Sequence, residues 1–402
     1  MKKIEEYIAK NWSDCIKENQ NDEGTLVGLP YPYTVPAVGK FDEIYYWDTY
    51  FTNVGLLISG LSMQAKHNVD NMLYLVDKYG FMPNGNRTYY LNRSQPPFLS
   101  QMVRDVYEYY KDNCWLKSAY RVLEKEYDFW MNKRCQKNGL NVYAGEVIED
   151  LIEEIADNFA KRVKFKPSTG NRDITRHVLC TCESGWDMNP RWDVKGYDYA
   201  MVDLNSLLYL LEKNMEYFAD ELGFKEAEIW KKRAKDRQSL MTKFMQNEDG
   251  LLFDYNVMED NLSPVFSVAS YYPLFAGAAT KLQAQAAVDN LYRIEAKYGV
   301  VTCEKGNNEG IYQWDYPNGW ACLQYIIVKG LLNYGYNEKA KEIATKFSGL
   351  IEKVFEETGN LWEKYNVVEG NIKVKNEYEM PPMMGWSAGI YLELKRIMQA
   401  CE

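Results

Sequence analysis

Four stretches of the chain set isolated carboxylates among aromatic side chains. They are Phe41-Asp-Glu-Ile-Tyr-Tyr-Trp-Asp48, Glu183-Ser-Gly-Trp-Asp-Met-Asn-Pro-Arg-Trp192, Gln313-Trp-Asp-Tyr-Pro-Asn-Gly-Trp320 and Leu361-Trp-Glu-Lys-Tyr365. The last is followed by Glu377, Tyr378 and Trp386. Apolar surroundings keep one carboxylic acid protonated, and a second carboxylate can activate water. Hydrolysis of a glycosidic bond needs that pair. The chain is 15% aromatic, with 33 Tyr and 11 Trp, and their flat faces with a polar tip suit a cleft for a sugar. Residue types alone do not choose the acid from the base. An Asp in a Trp-rich loop also serves as a helix cap or turn residue, and Asp48 or Asp315 could instead grip sugar hydroxyls.

Other chemistries have little material. The chain has two histidines, His67 and His177, too few for His-rich metal or proton-relay sites. His177 reads as a hydrogen-bonding loop residue. Cys180-Thr-Cys182 reads as packing, since Cys-x-Cys is a poor metal signature. Gly306-Asn-Asn-Glu-Gly310 lacks the Lys-Ser/Thr ending of a phosphate loop. No cofactor or metal is expected, and whether a loop binds calcium is not legible in the sequence. The net charge of -10 argues against a nucleic-acid partner. No apolar run approaches the ~20 residues that span a bilayer. Eight scattered cysteines and a start, MKKIEEYIAKNWSD, without an apolar stretch point to a reducing compartment, hence a cytoplasmic location. The expected partner is a small carbohydrate, and oligomeric state is not legible.

The elements that must position these residues are helical. Amphipathic periodicity predicts a first helix over 3–18 and further helices near 48–60, 64–79, 97–112, 115–134, 146–161, 199–221, 224–246, 279–297, 319–334, 337–357 and 385–400. Short strands are expected within 251–256 and 361–366, two pieces that both end Tyr-Asn-Val. The stretch 163–198 reads as a long loop, and aromatic-rich connections recur at 29–47, 80–97, 303–320 and 361–386. Without a Pro/Gly/Ser-rich linker, residues 1–402 read as one all-α domain.

These stretches resemble the trehalases of glycoside hydrolase family 37 and, more distantly, family 63. Val38-Gly-Lys-Phe-Asp-Glu-Ile-Tyr-Tyr-Trp-Asp-Thr-Tyr50 is similar to the first trehalase signature. Pro83-Asn-Gly-Asn-Arg-Thr-Tyr-Tyr-Leu-Asn-Arg-Ser-Gln-Pro-Pro97 is similar to the second block. Glu183–Asp187 with Arg191-Trp192, then Val202-Asp-Leu-Asn205, resemble the acid block and its sequel. Gln313–Trp320 resembles the second named signature, and Glu363-Lys-Tyr365, Glu377-Tyr378 and Gly385-Trp386 resemble the C-terminal blocks. The matches run in order over most of the chain.

The resemblance implies an (α/α)6 barrel of six inner and six outer helices, with long loops and a few short strands forming the cleft. It implies an inverting, exo-acting α-glucoside hydrolase with Asp187 as general acid and Glu363 as general base, roughly 6.5–9.5 Å apart. Phe41, Trp47, Asp48, Asn84, Arg93, Gln95 and Gly185 fall on substrate-contact positions. Trp320, Glu377, Tyr378 and Trp386 are expected to line or close the cleft. Three departures concern the leaving-group side. Lys40 stands where the family carries Arg, Cys322 replaces a Pro, and the Arg-Pro-Glu segment before the acid block has only Lys166-Pro-Ser168 as counterpart. The substrate expected is trehalose or a related small α-glucoside such as glucosylglycerate. For an anionic leaving group, Lys40, Arg93, Lys166, Arg172 and Arg176 are the candidate partners. A reading of another class is a non-catalytic sugar-binding protein on the same fold.

Overall fold

The structure is a computed structural model that describes residues 2–376, 378–382 and 385–400. Among these lie the helices α1 (Lys2–Asn11), α2 (Tyr46–Ile58), α3 (Ser62–Tyr79), α4 (Leu99–Tyr110), α5 (Asn113–Lys133), α6 (Ile152–Val163) and α7 (Asn171–Ser184). The second half of the chain adds α8 (Val202–Glu221), α9 (Ala227–Met245), α10 (Tyr272–Ala276), α11 (Lys281–Asp289), α12 (Ala321–Asn333), α13 (Asn337–Thr358) and α14 (Gly385–Ala400).

Helix α12, ACLQYIIVKGLLN, is apolar on nearly every side, which suits an inner position. Helix α9 instead buries one stripe, with Trp230, Ala234, Arg237, Met241 and Met245 three or four residues apart, which suits an outer one. Each large apolar side chain buried this way contributes about 1.5–3 kcal/mol. The inner helices α2, α4, α8, α10, α12 and α14 pack in that order, and α14 returns to α2 and closes the ring. That closure needs two glycines: a Cβ on Gly55 of α2 would lie 2.3 Å from the Cα of Gly389 on α14. Outside the ring, α3, α5, α9 and α13 pack on their inner partners. Helix α1 touches α13 through Tyr7 and Phe355, and α11 bonds to α9 through Gln283 and Thr242. The architecture is an (α/α)6 barrel, with α6 and α7 added as a separate pair.

Helix ends follow local chemistry. Asp112 caps α5 by accepting from the backbone N–H groups of Cys114 and Trp115, and Thr280 with Gln283 forms a capping box on α11. Several boundaries differ from the periodicity. The helix expected over 3–18 stops at Asn11, and Ile16–Lys17 becomes a short strand against Tyr33–Thr34. The helix expected over 279–297 breaks at Asn290 into a 3-10 turn and a strand. Within the two expected strands, Tyr255–Asn256 and Lys364–Asn366 are extended. Both continue into the same turn, in which the Asn256 or Asn366 side chain accepts two backbone N–H bonds.

The largest correction is α7, which lies inside the stretch expected to be a loop. Its sequence NRDITRHVLCTCES is rich in weak helix formers, and Gly170 and Gly185 read as loop punctuation. They are the helix ends: Gly170 is the extended residue before the first turn, and Gly185 closes the helix in the left-handed conformation. His177 is therefore a buried helix residue. Its Nδ1 accepts from the Gly196 N–H at 3.1 Å, and burial pulls its pKa down to about 3.

Candidate active site

Asp187 stands just beyond α7. Gly185, at φ +73°, turns the chain sharply there, and its missing Cβ makes room for Trp47: a Cβ would meet the indole at 2.6 Å. The turn is held by bonds within the block. Ser184 Oγ accepts from Trp186 N at 3.1 Å, and the Asn189 amide reaches Trp186 O at 2.6 Å. Met188, directly after the acid, is a non-glycine residue in the left-handed region at φ +41°. Arg191 anchors the far side. It is fully buried, pairs with Asp254 (2.8 and 3.0 Å) and Asp203 (2.7 Å), and lies against the rings of Trp186 and Trp192. Glu183, in the last turn of α7, is structural: it takes two bonds from Arg134 and accepts from the backbone N–H groups of Ser94 and Ala144. This joins α7 to the segment that carries Arg93 and Gln95.

Glu363 arrives by a different route. Asn318–Trp320 pairs antiparallel with Lys364–Asn366, with Trp320 opposite Lys364. The pairing, made across the intervening α12 and α13, sets Glu363 beside Trp320 and Trp386. One Glu363 oxygen accepts from the Tyr378 hydroxyl, and the other lies 2.7 Å from Lys364 Nζ. Lys364 is buried, bonded to Gln313 at 3.2 Å and lying over the Trp320 ring. Trp386 Nε1 donates to the Glu363 carbonyl at 3.1 Å. The Glu363 side chain is 3% exposed, whereas Asp187 keeps 35% of its surface open.

One cavity of about 360 Å³, the size of a small-molecule site, brings the two together. Its lining holds Asp187 and Glu363 with Phe41, Trp47, Asp48, Asn84, Arg93, Gln95, Gly185, Trp320, Tyr378 and Trp386. Glu377 lies outside the described residues. Its wall is tryptophan: Trp314 stacks flat on Trp320 at 3.7 Å, Trp386 stands edge-on to both, and Trp47 meets Trp314 at 5.4 Å. Polar groups reach it from short segments, with Gln95 accepting from Trp47 N and Asn84 donating to Cys182 O. Lys40 spans the rim, bonding the Glu379 carbonyl at 2.8 Å over the Tyr378 ring.

Electrostatics separate the acids. Burial lifts the Asp187 pKa above the usual carboxylate range; the guanidinium groups of Arg162 and Arg93 oppose this, and Glu363 adds to it. Asp48, in the first turn of α2, is pushed up to about 8, chiefly by burial and further by Glu363 and Asp187.

Sequence reasoning passed over several lining residues: Pro36, Tyr45, Tyr90, Cys182, Gln313 and Trp314. Tyr45, Tyr90, Gln313 and Trp314 lie inside the motif blocks and were within reach of it. Arg162, 3.8 Å from Asp187, gave no signal beyond a basic residue on an amphipathic helix. Other candidates lie elsewhere. Asp315 is buried against Lys375 and Asn308, both at 2.9 Å, and does not line the cavity. Lys166 faces Asp157, Arg172 pairs with Glu149, and Arg176 with Asp173. Pro167 and Ser168 line a separate cavity. Among the described residues, no group of His, Cys, Asp and Glu forms a metal-binding cluster, and no helix is long and apolar enough to cross a membrane.

A periplasmic trehalase of Xanthomonas oryzae pv. oryzae is 32% identical over 432 residues, covering 97% of this chain and 72% of that protein. A periplasmic trehalase of Pseudomonas aeruginosa is 33% identical over 422 residues, covering 97% and 76%. Neutral trehalase Nth1 from Saccharomyces cerevisiae superposes with a TM-score of 0.79 at 29% identity, covering 99% of this chain and 82% of that one. A mannosylglycerate hydrolase of family 63 from Thermus thermophilus shares the fold at 17% identity, with a TM-score of 0.64 and coverage of 90% and 95%. The periplasmic relatives overturn the cytoplasmic expectation. That expectation took unpaired cysteines as a sign of a reducing compartment, but Cys15, Cys180, Cys303 and Cys322 are buried thiols, and packing shields them in any compartment. The family model for trehalases matches residues 1–399, and the chain belongs to the trehalase family.

Proposed function

We propose that residues 1–402 act as one catalytic unit that hydrolyses trehalose to glucose with inversion, Asp187 serving as general acid and Glu363 as general base. The observation that carries this reading is the shared cavity, in which two carboxylates from distant parts of the chain meet at a tryptophan wall. Asp187 is suited to hold a proton, since burial raises its pKa, and its open surface lets it reach a leaving oxygen. Glu363 receives the Tyr378 hydroxyl and the Lys364 ammonium, which fix its orientation for taking a proton from water. The proton passes from Asp187 to the glycosidic oxygen while water, deprotonated by Glu363, attacks the opposite face of the sugar carbon.

Trp47, Trp320 and Trp386 offer apolar faces to the pyranose ring, and Phe41 closes the rim. Asp48, Asn84, Gln95 and Arg93 direct hydrogen bonds at its hydroxyls, Tyr378 adds its phenol, and Gly185 lets Trp47 approach. Glu377 is assigned to the cleft by its motif. Glucose release from trehalose, with glucosylglycerate as the competing substrate, tests the reading. Asp187→Asn and Glu363→Gln should each lower kcat by about 10²–10⁴ while sparing binding. Full turnover in either variant refutes the assignment. Trehalose binding by the wild type without glucose release would leave a sugar-binding protein.

A further inference from the structure

The acid has a neighbour that belongs to none of the motif blocks. Arg162 lies in the last turn of α6, with Nη2 3.8 Å from Asp187 Oδ2. The contact follows from how the added pair packs. Asn171 bonds Glu153 at 2.6 Å, and Thr175 bonds the Ile152 carbonyl at 3.1 Å, so the two helices start side by side. They end side by side as well: Val163 and Met188 share one small apolar cluster with Phe159 and Ile174. Helices α6 and α7 therefore run parallel, and the connection 164–170 carries the chain back to the start. Parallel packing sets the C-terminal turn of α6 against the acid that follows α7.

We propose that Arg162 is a positioning residue for the proton donor, holding the Asp187 carboxyl in place and stabilising its anion once the proton has moved to the leaving oxygen. This rests on the reading of Asp187 as the acid. A general acid lies against the leaving oxygen, so a guanidinium beside it sits on the leaving-group side. When the O–H bond of Asp187 breaks, the proton goes to the glycosidic oxygen and the electron pair stays on the carboxylate. That negative charge forms at the wall of the cavity, where a sugar filling the site excludes water and strengthens the pull of a fixed cation. Among the described residues, Arg162 on α6, Arg93 ahead of α4, Glu363 before the Lys364–Asn366 strand and Asp48 on α2 act on Asp187. The two arginines favour the anion, and the two carboxylates favour the neutral acid. Removing one arginine unbalances the set.

The test compares Arg162→Gln and Arg162→Lys in the full chain, with trehalose and with α-glucosyl fluoride, whose leaving group needs less proton assistance. In Arg162→Gln, losing a cation makes deprotonation harder, so the alkaline limb of the kcat/KM profile should move up by about half to one pH unit. Its kcat on trehalose should fall about tenfold, the fluoride should suffer less, and Lys should restore most of the loss. Arg162 is one-third exposed, and a thermal melt of each variant checks folding. An unmoved alkaline limb, or equal losses on both substrates, overturns the inference. An Asp187→Asn variant that still turns over trehalose would sink the acid assignment instead, which keeps the two failures apart.

Discussion

Replacing Gly185 by Ala adds one methyl group where both backbone and packing resist it. The residue sits at φ +73°, a conformation that costs a Cβ-bearing residue about 1–2 kcal/mol. The added carbon would lie 2.6 Å from the Trp47 indole. Trp47 is 2% exposed and packed by Phe51, Trp314 and Trp386 at centroid distances of 5.8, 5.4 and 6.1 Å, so it can yield only into the cavity it lines. Overpacking at such a site costs a further 1–3 kcal/mol or so. Together the two effects cost roughly 2–5 kcal/mol, visible as a Tm several degrees lower. Whichever side yields, either the sugar platform or the acid two residues along is displaced. A shift of about 1 Å at a reacting group costs about a hundredfold in rate. Differential scanning calorimetry and trehalose kinetics on the same preparation read both effects. A Gly185→Ala variant with unchanged Tm and unchanged kcat would refute the reasoning.

Asp48 offers a linkage test. Its folded pKa of about 8 lies above the ordinary carboxylate value, so the native state keeps a proton that the unfolded chain has lost. The stability this lends is full in acid and is lost as pH rises to about 8. Chemical denaturation should show Asp48→Asn gaining on the wild type between pH 4 and pH 8, then levelling; a constant difference would contradict the burial argument. Tyr378→Phe removes a hydroxyl bond to Glu363, and kcat should fall about tenfold or more in steady-state kinetics on trehalose. Arg191→Met leaves Asp203 and Asp254 buried without their guanidinium and should cost about 3–5 kcal/mol in a denaturation experiment.

Much of the barrel was legible because its helices carry strong periods. The all-round apolar face of α12 and the single stripe of α9 already separate inner from outer positions. Periodicity supplied neither the short inner helix α10 nor α7, whose Cys, Thr and His content hides a helix set by tertiary packing between two glycines. Residues such as Trp47 in the first turn of α2, and Asp187 and Glu363 on loops, stood out because aromatic–acidic blocks are unusual and ordered along the chain. Arg162 was invisible for the opposite reason. Its contact with Asp187 spans 25 positions and depends on the parallel setting of two helices, which no local pattern encodes. Asp315 shows the converse error: a residue in a strong motif whose carboxylate binds Lys375 and Asn308 and does not line the cavity.

The most direct measurement follows the anomers formed in the first turnovers of trehalose by proton NMR, before mutarotation. If water arrives opposite the Asp187 side, the attacked glucose appears as the β anomer and the departing glucose as the α anomer, in equal amounts. Release of the α anomer alone would mean retention of configuration, and the assignment of Glu363 as a base acting through water would fall.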